Sequence, residues 1–258
     1  MTTLPLRQFA TLSLDELLAE AELLTRFDRK YLLDRSQAAG LLQRLDPRTR
    51  VLEIDGRSWF HYESVYFDTP DLLSYRQAAH LRRRRFKVRT RSYLDSGLAF
   101  LEVKVRGDRE ITVKDRLPYD PAARDRLTGP GRDYAGQTLD GYGLDGSLAG
   151  DLDRSLVTRY RRATLVPPEP EVRVTVDTDL TWSDGRRELT LPDLVIVETK
   201  SGSRPSGVDR LLWEAGHRPA SISKYGTGLA ALRGDLPANK WTRVLRRHFR
   251  TEEPACAA

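Results

Sequence analysis

Apolar and charged residues alternate at every second position through three consecutive runs between Phe86 and Leu117, the period of half-buried β-strands. From Phe86 to Tyr93, Lys87, Arg89 and Arg91 fall on one face while Phe86, Val88 and Thr90 fall on the other. After Asp95-Ser96-Gly97, Glu102, Lys104 and Arg106 oppose Leu101, Val103 and Val105. Gly107-Asp108 then turns the chain again, and Thr112, Lys114 and Arg116 oppose Ile111, Val113 and Leu117. The pattern predicts a three-stranded antiparallel ribbon with a β-branched apolar side and a side carrying seven Lys or Arg and one Glu.

Around this ribbon the chain reads as mixed. Met1 to Ala10 has the look of an arm, after which Ser13 and Glu16 form a capping-box pattern. The helix so opened runs through about Leu24, with Leu14, Leu17, Leu18, Ala21 and Leu24 along one stripe and facing the core. Arg26 to Leu33 reads as a strand with Arg26, Asp28 and Lys30 on one face. Asp34 or Ser36 caps a helix over Gln37 to Leu45, a polar connection follows, and the strand Trp59 to Asp68 ends at Thr69-Pro70-Asp71. A short helix, Leu72 to Ala79, feeds the ribbon. Thr128 to Gly150, rich in Gly and Asp, reads as a long surface excursion. Strand character returns over Leu156 to Val166 and Glu171 to Trp182, and the next strand, Arg187 to Lys200, is broken by Pro192. Pro205 opens a helix through Ala215, Ser221 to Tyr225 crosses back, and short helices finish the chain. The strands number about eight, the usual count for a small closed barrel.

Charge sharpens this picture. Of the 258 residues, 43 are Lys or Arg and 37 Asp or Glu, a net +6 that is compatible with an anionic partner without identifying one. The imbalance is local, concentrated where Arg82 to Arg85 run into Lys87, Arg89 and Arg91. Like charges on adjacent strands repel, so the ribbon's cationic side is either the solvent face of an ordinary sheet or the lining of a barrel whose charge a polyanion neutralises. Phosphate chains fit that second home best. A lone Cys256 supports no disulfide, zinc site or thiol nucleophile, and His61, His80, His217 and His248 lack ligand spacing. No G-x-x-x-x-G-K phosphate loop occurs. The N-terminus lacks a charged-then-apolar leader and no apolar run reaches membrane-span length, which makes a soluble cytoplasmic protein the expectation.

Arginine forks and lysine point charges suit phosphoryl oxygens, whereas the carboxylates among them, Glu102 and Glu198, suit either a divalent cation or the neighbouring Lys and Arg. Several motifs then coincide in order: Arg26-Phe-Asp-Arg-Lys30-Tyr31, Tyr66-Phe-Asp-Thr-Pro70, Arg89-x-Arg91, Glu102-x-Lys104, Lys114-x-Arg116, Tyr160-x-Arg162, Val176-Asp177, Glu198-x-Lys200 and Ser223-Lys224-Tyr225. Together they resemble the vacuolar transporter chaperone (VTC) catalytic domain, a polyphosphate polymerase domain of the triphosphate tunnel metalloenzymes, also called CYTH-like. The resemblance implies an α+β fold in which an eight-stranded antiparallel β-barrel tunnel, over 26–235, is flanked by helices. Residues 1–25 would be an arm and helix packed on the barrel, and 236–258 a C-terminal helix and tail. It further implies Lys30, Arg89, Arg91, Lys104 and Lys114 as catalytic cations. Arg26, Arg116, Arg162, Arg173, Lys200 and Lys224 would bind substrate, and Glu198 with Glu102 would hold Mn²⁺ or Mg²⁺. Asp28 stands where the family usually has Glu and reaches one methylene less far.

The activity so implied is transfer of the γ-phosphoryl of ATP onto a polyphosphate chain. Hydrolysis of triphosphate on the same fold is the alternative, and non-catalytic polyphosphate binding the third. Tunnel hydrolases carry Glu-x-Glu-x-Lys on the first strand, where this chain has Arg26-x-Asp28-x-Lys30. A cation in place of a carboxylate disfavours a second metal and favours another phosphate. Nucleic acid is not expected as a partner, because Phe86 and Tyr93 fall on opposite faces of their strand and give no stacking platform.

Overall fold

The computed structural model describes residues 4–19, 27–106 and 112–249. Arg26, Ala21, Leu24, the Gly107-Asp108 turn, Ile111 and Cys256 lie outside them. In chain order the elements begin with β1 (Ala10–Leu12), α1 (Leu14–Ala19), β2 (Phe27–Asp34), α2 (Arg35–Gln43), β3 (Arg50–Leu52), β4 (Phe60–Asp68) and α3 (Leu73–Ala79). The ribbon follows as β5 (Arg85–Tyr93), β6 (Leu98–Arg106) and β7 (Thr112–Tyr119), then α4 (Gly129–Gly141). The remainder is β8 (Asp153–Val166), β9 (Arg173–Ser183), β10 (Glu188–Leu191), β11 (Leu194–Ser201), α5 (Gly207–Glu214), α6 (Lys224–Leu232) and α7 (Thr242–His248). They fall into two compact units, one of Met1–His61, Tyr160–Leu180 and Thr190–Ser221, the other of Tyr62–Arg159, Thr181–Leu189 and Ile222–Ala258.

In the first unit β11 lies between β2 and β9, antiparallel to both. Alternation sends Tyr31, Leu33, Val174, Val176, Val195 and Val197 to one side, where they pack with Ala38 and Leu42 of α2 and Val208 and Leu212 of α5. Each such side chain fully removed from water contributes roughly 1.5–3 kcal/mol. Asp34 is the cap of α2, its carboxylate accepting the Gln37 N–H at 2.8 Å while the Gln37 side chain accepts the Asp34 N–H at 3.0 Å. The stretch read as an arm is built in: Leu4, Leu6 and Phe9 are buried, and β1 pairs in parallel with β3. Ser13 and Glu16 do form their capping box, with the Glu16 carboxylate accepting the Ser13 N–H at 2.7 Å. The apolar stripe of α1 is not a core face, however, because only Leu17 is buried while Leu14 and Leu18 are exposed.

In the second unit β4, β5, β6 and β7 pair antiparallel in sequence order. The apolar side of the ribbon, with Val88, Leu101, Val103 and Val105, packs with Val65 and Phe67 of β4 and with Ala135 and Leu139 of α4. The surface excursion expected here is thus largely helix. Thr128 caps α4 through its hydroxyl, which accepts the Gly131 N–H at 3.2 Å, and a proline occupies its first turn. Glycines cost about 1 kcal/mol each relative to Ala inside a helix. Burial of Ala135 and Leu139 outweighs that penalty, which a local reading cannot weigh. Lys224, within the stretch read as crossing back, opens α6.

The barrel expectation is corrected in two respects. Among the described residues there are eleven strands: β1 and β3 span only three residues each and are too short for alternation to register, and the strand read over Arg187 to Lys200 is divided at Pro192 into β10 and β11. The sheet is open among the described residues: β2 is the edge strand of its unit and β7 of its own, each with one strand neighbour.

Candidate functional site

In-register pairing assembles the cationic face of the second unit. Lys87, Lys104 and Lys114 stand directly opposite one another across β5, β6 and β7, and one step along the strands stand Arg89, Glu102 and Arg116. Glu102, 1 % exposed, is the carboxylate these strands share. Its Oε2 accepts Arg89 Nε at 2.8 Å and Nη2 at 2.6 Å, its Oε1 lies 2.6 Å from Lys114 Nζ, and Arg91 Nη1 is 3.7 Å away. Burial pushes the Glu102 pKa up, but Arg89, Arg91 and Lys114 together hold it far below the usual carboxylate range.

That leaves Lys104 without a counter-ion of its own. Among the described residues its ammonium has no hydrogen-bond or ion-pair partner, Glu102 being engaged instead by Arg89 and Lys114. Burial, then the charges of Arg89, Arg91 and Lys87, lower its pKa to about 6 against a weaker pull from Glu102. Lys114 is lowered for the same first reason. Beside it, the Arg91 Nε and the hydroxyl of its cross-strand neighbour Ser64 are buried without hydrogen-bond partners. Unmet donors on a cationic face are what an anion's oxygens would satisfy. Arg116, on the same face, has its guanidinium over the Phe100 ring, 5.1 Å from the centroid.

A tyrosine and carboxylate network supports this face, and its members carried no role in the sequence reading although each sat inside a quoted motif. Arg89 Nη1 donates to the Tyr66 hydroxyl at 3.1 Å, and Tyr66 stacks on Tyr225 with ring centroids 5.0 Å apart. Tyr225 donates its O–H to buried Asp68, which also accepts the backbone N–H groups of Thr69, Ser74 and Tyr75 at 2.8–2.9 Å. Burial raises the Asp68 pKa, and burial with the Asp68 charge keeps Tyr225 protonated far above the usual tyrosine range. Lys87 Nζ donates to Ser223 at 3.0 Å, just before Lys224. Helix α6, which carries Lys224, is held close by two tryptophans. A Cβ at Gly226 would meet Trp241 at 2.3 Å and one at Gly228 would meet Trp182 at 2.0 Å.

The first unit carries a second charged face. Glu198 Oε1 lies 2.9 Å from Lys30 Nζ and 3.1 Å from Lys200 Nζ, and Lys200 is also 3.1 Å from Asp28 Oδ2. Arg162 grips Asp177 with both prongs, at 2.6 and 2.8 Å. Burial opposes charge on Glu198, yet Lys30, Lys200 and Arg162 hold its pKa well below the ordinary value. Burial likewise works against Lys30, and Glu198 with Asp28 overcomes it, so its pKa is raised. Arg173, the cross-strand neighbour of Lys200, donates to the Leu17 carbonyl at 3.2 Å. Glu198 and Asp28 converge on one ammonium and are oxygen donors of the kind a hard divalent cation takes. Glu102 is enclosed by three cations, Arg89, Arg91 and Lys114. No group of three His, Cys, Asp or Glu gathers as a complete metal site among the described residues.

A family model described as "VTC domain" matches residues 25–233. No curated protein matches the chain. Among solved structures, the putative adenylyl cyclase HpAC1 from Hippeastrum, described as revealing a dominant triphosphatase activity, aligns with TM-score 0.51 and 18% identity over 84% of this chain and 100% of its own. The PH1819 protein of Pyrococcus horikoshii OT3 aligns with TM-score 0.40 and 12% identity over 78% and 97%. A conserved hypothetical protein of Pyrococcus furiosus aligns with TM-score 0.38 and 13% identity over 74% and 88%. At such identities the first of these likenesses is one of fold.

Proposed function

Because this chain belongs to the VTC domain family, within the triphosphate tunnel metalloenzymes, we propose that it is a metal-dependent polyphosphate polymerase that moves the γ-phosphoryl group of ATP onto a polyphosphate chain in the cytoplasm. The observation that carries this reading is the Lys87–Lys104–Lys114 row, with the buried, unpartnered Arg91 Nε and Ser64 hydroxyl beside it. Among the described residues no helix is long and apolar enough to cross a membrane.

In the transfer, a terminal oxygen of the acceptor chain bonds to the γ-phosphorus as the bond to the β–γ bridging oxygen breaks, and ADP leaves. Such a reaction is catalysed mainly by positioning and by neutralising charge on the phosphoryl oxygens. Lys104, Lys114, Arg89 and Arg91 supply that neutralisation, and Glu102 holds Arg89 and Lys114 in place at 2.6 Å. Lys30, Arg162, Arg173 and Lys200 are the corresponding cations of the first unit, and Lys224, Arg116 and Arg26 complete the substrate set. Glu198 with Asp28 would hold Mn²⁺ or Mg²⁺, which supplies further charge neutralisation and orients the phosphates. Magnesium is commonly bound by one or two carboxylates plus substrate phosphates, so a two-carboxylate site suffices.

The second reading, hydrolysis of triphosphate, draws support from the fold shared with the Hippeastrum protein and its described triphosphatase activity. Incubation of the purified protein with ATP and Mn²⁺, assayed for both long-chain polyphosphate and free phosphate, separates the two. Polymer is the expected product. Rapid release of phosphate from tripolyphosphate with no polymer from ATP would replace the polymerase by the hydrolase.

A further inference from the structure

The cationic face of the second unit changes character along its length. Its first row is Lys87, Lys104 and Lys114, and the row two residues on is Arg89, Glu102 and Arg116. The third row sets Ser64, Arg91 and Phe100 opposite one another, and the fourth Tyr62, Tyr93 and Leu98. Charge thus gives way to aromatic and apolar groups toward the β5–β6 turn. Tyr93 and Phe100 belong to different strands, and only strand pairing joins them into a patch. The Tyr62 and Tyr93 ring centroids are 4.9 Å apart, and Tyr93 meets Phe100 edge-on at 6.0 Å, with the Arg116 guanidinium over Phe100. All three rings are half-buried and Leu98 is exposed, on the side of the ribbon opposite Val88, Leu101 and Val103. Cross-strand aromatic pairs help fasten a ribbon. Fastening alone does not explain why these rings adjoin an Arg91 Nε and a Ser64 hydroxyl that are buried without hydrogen-bond partners.

Taking the Lys104 row as a phosphate site, as above, we propose that Tyr93 and Phe100, with Arg116, seat the base of the donor nucleotide while its phosphates run from Arg91 toward Lys104. A face that is cationic at one end and aromatic at the other suits a ligand with two unlike ends, a polyanionic chain and a flat ring. Phe100 stands four residues before Lys104 on β6, about 13 Å at 3.3–3.4 Å per residue. An extended nucleoside triphosphate covers that distance from its terminal phosphate to its base. Aromatic rings and guanidinium planes are both stacking surfaces for a nucleobase, whereas an inorganic chain has no use for them. A stacking seat does not read base edges, so it favours purines over pyrimidines by ring size and takes adenine and guanine alike.

The test is calorimetric titration of the full chain with ATP, with ribose 5-triphosphate, which lacks only the base, and with inorganic tripolyphosphate. A chelator in the buffer keeps a metal-dependent transfer from running. The unmodified protein should bind ATP about tenfold more tightly than ribose 5-triphosphate, the worth of one stacked base. Phe100→Leu should erase most of that gain and leave ribose 5-triphosphate and tripolyphosphate within about twofold, the retained binding showing that the variant is folded. Tyr93→Leu should act the same way by a smaller factor, and a selective loss of ATP in either variant supports the seat. Equal affinity of the unmodified protein for ATP and ribose 5-triphosphate, or a fall for all three probes alike in both variants, would overturn the base seat while leaving the Lys104 row in place. A single-stranded oligonucleotide without a terminal triphosphate that binds as tightly as ATP, and weakens equally in Phe100→Leu, would overturn it in favour of a nucleic-acid surface. Absence of tripolyphosphate binding by the unmodified protein would instead remove the proposed function, and the seat with it.

Discussion

Replacing Lys104 by Met should make the protein more stable and bind phosphate less well. Met keeps the length of the side chain and removes the charge. An ordinary lysine titrates near pH 10.4, whereas Lys104 in the fold titrates at about 6. At pH 7 the unfolded chain therefore carries a proton that the folded chain has mostly given up. The gap between pH 7 and 10.4, at 1.36 kcal/mol per unit, corresponds to roughly 4–5 kcal/mol against folding. Lys104 is only partly buried, and relaxation of water and neighbouring charges cuts the observable gain to about 2 kcal/mol. The sign follows from proton counting. Between about pH 6 and 10.4 the unfolded state binds the extra proton, so the stability of the unmodified protein rises with pH across this window. The advantage of Lys104→Met is thus largest near pH 6 and fades toward pH 10. Urea unfolding at neutral pH and again near pH 10 reads both effects. An arriving phosphate restores the ammonium, so tripolyphosphate affinity of the unmodified protein should fall as pH rises above about 6. Binding should also take up a proton, visible as a buffer-dependent heat. A variant that is destabilised equally at both pH values, with unchanged tripolyphosphate affinity, would refute the reasoning.

Glu102→Gln leaves Arg89 and Lys114 without their shared countercharge and should cost about 3–5 kcal/mol at neutral pH. The Glu102 pKa is depressed in the fold, so its contribution is present above the unfolded value near 4.3 and is lost as pH falls below it, and the variant should converge on the unmodified protein in acid. Unchanged melting behaviour at pH 7 would contradict this. Glu198→Gln should retain the fold, by circular dichroism, and lose metal-dependent turnover in a Mn²⁺ titration; normal metal dependence would reduce Glu198 to a counter-ion of Lys30 and Lys200.

Strong alternation made the long strands legible, down to the break at Pro192 between β10 and β11. The shared face of Asp28 and Lys30, and that of Arg89, Lys104 and Lys114, followed from parity alone. What parity does not carry is distance. Glu102 was legible as a carboxylate among cations, but that three of them, Arg89, Arg91 and Lys114, come within 3.7 Å of it is a property of the packed sheet. Helix α4 was hidden because its glycines speak for a loop, while the burial that overrides them is a tertiary property. Asp68 and Tyr225 were visible as motif members, but their bond joins positions far apart in sequence and leaves no local trace.

The order in which the chain emerges during synthesis follows from the interleaved make-up of the two units. The ribbon of β5, β6 and β7 closes on neighbours a few residues away, so it acquires its partners as soon as it leaves the ribosome. Strand β2 has no strand partner until β11 arrives, since Lys30 waits for Glu198. For most of translation an early strand with one apolar face, Tyr31 and Leu33, is therefore an unsatisfied edge, the situation in which nascent chains associate wrongly or recruit chaperones. Any fragment ending before Leu194 leaves that edge uncovered, whatever its other residues achieve.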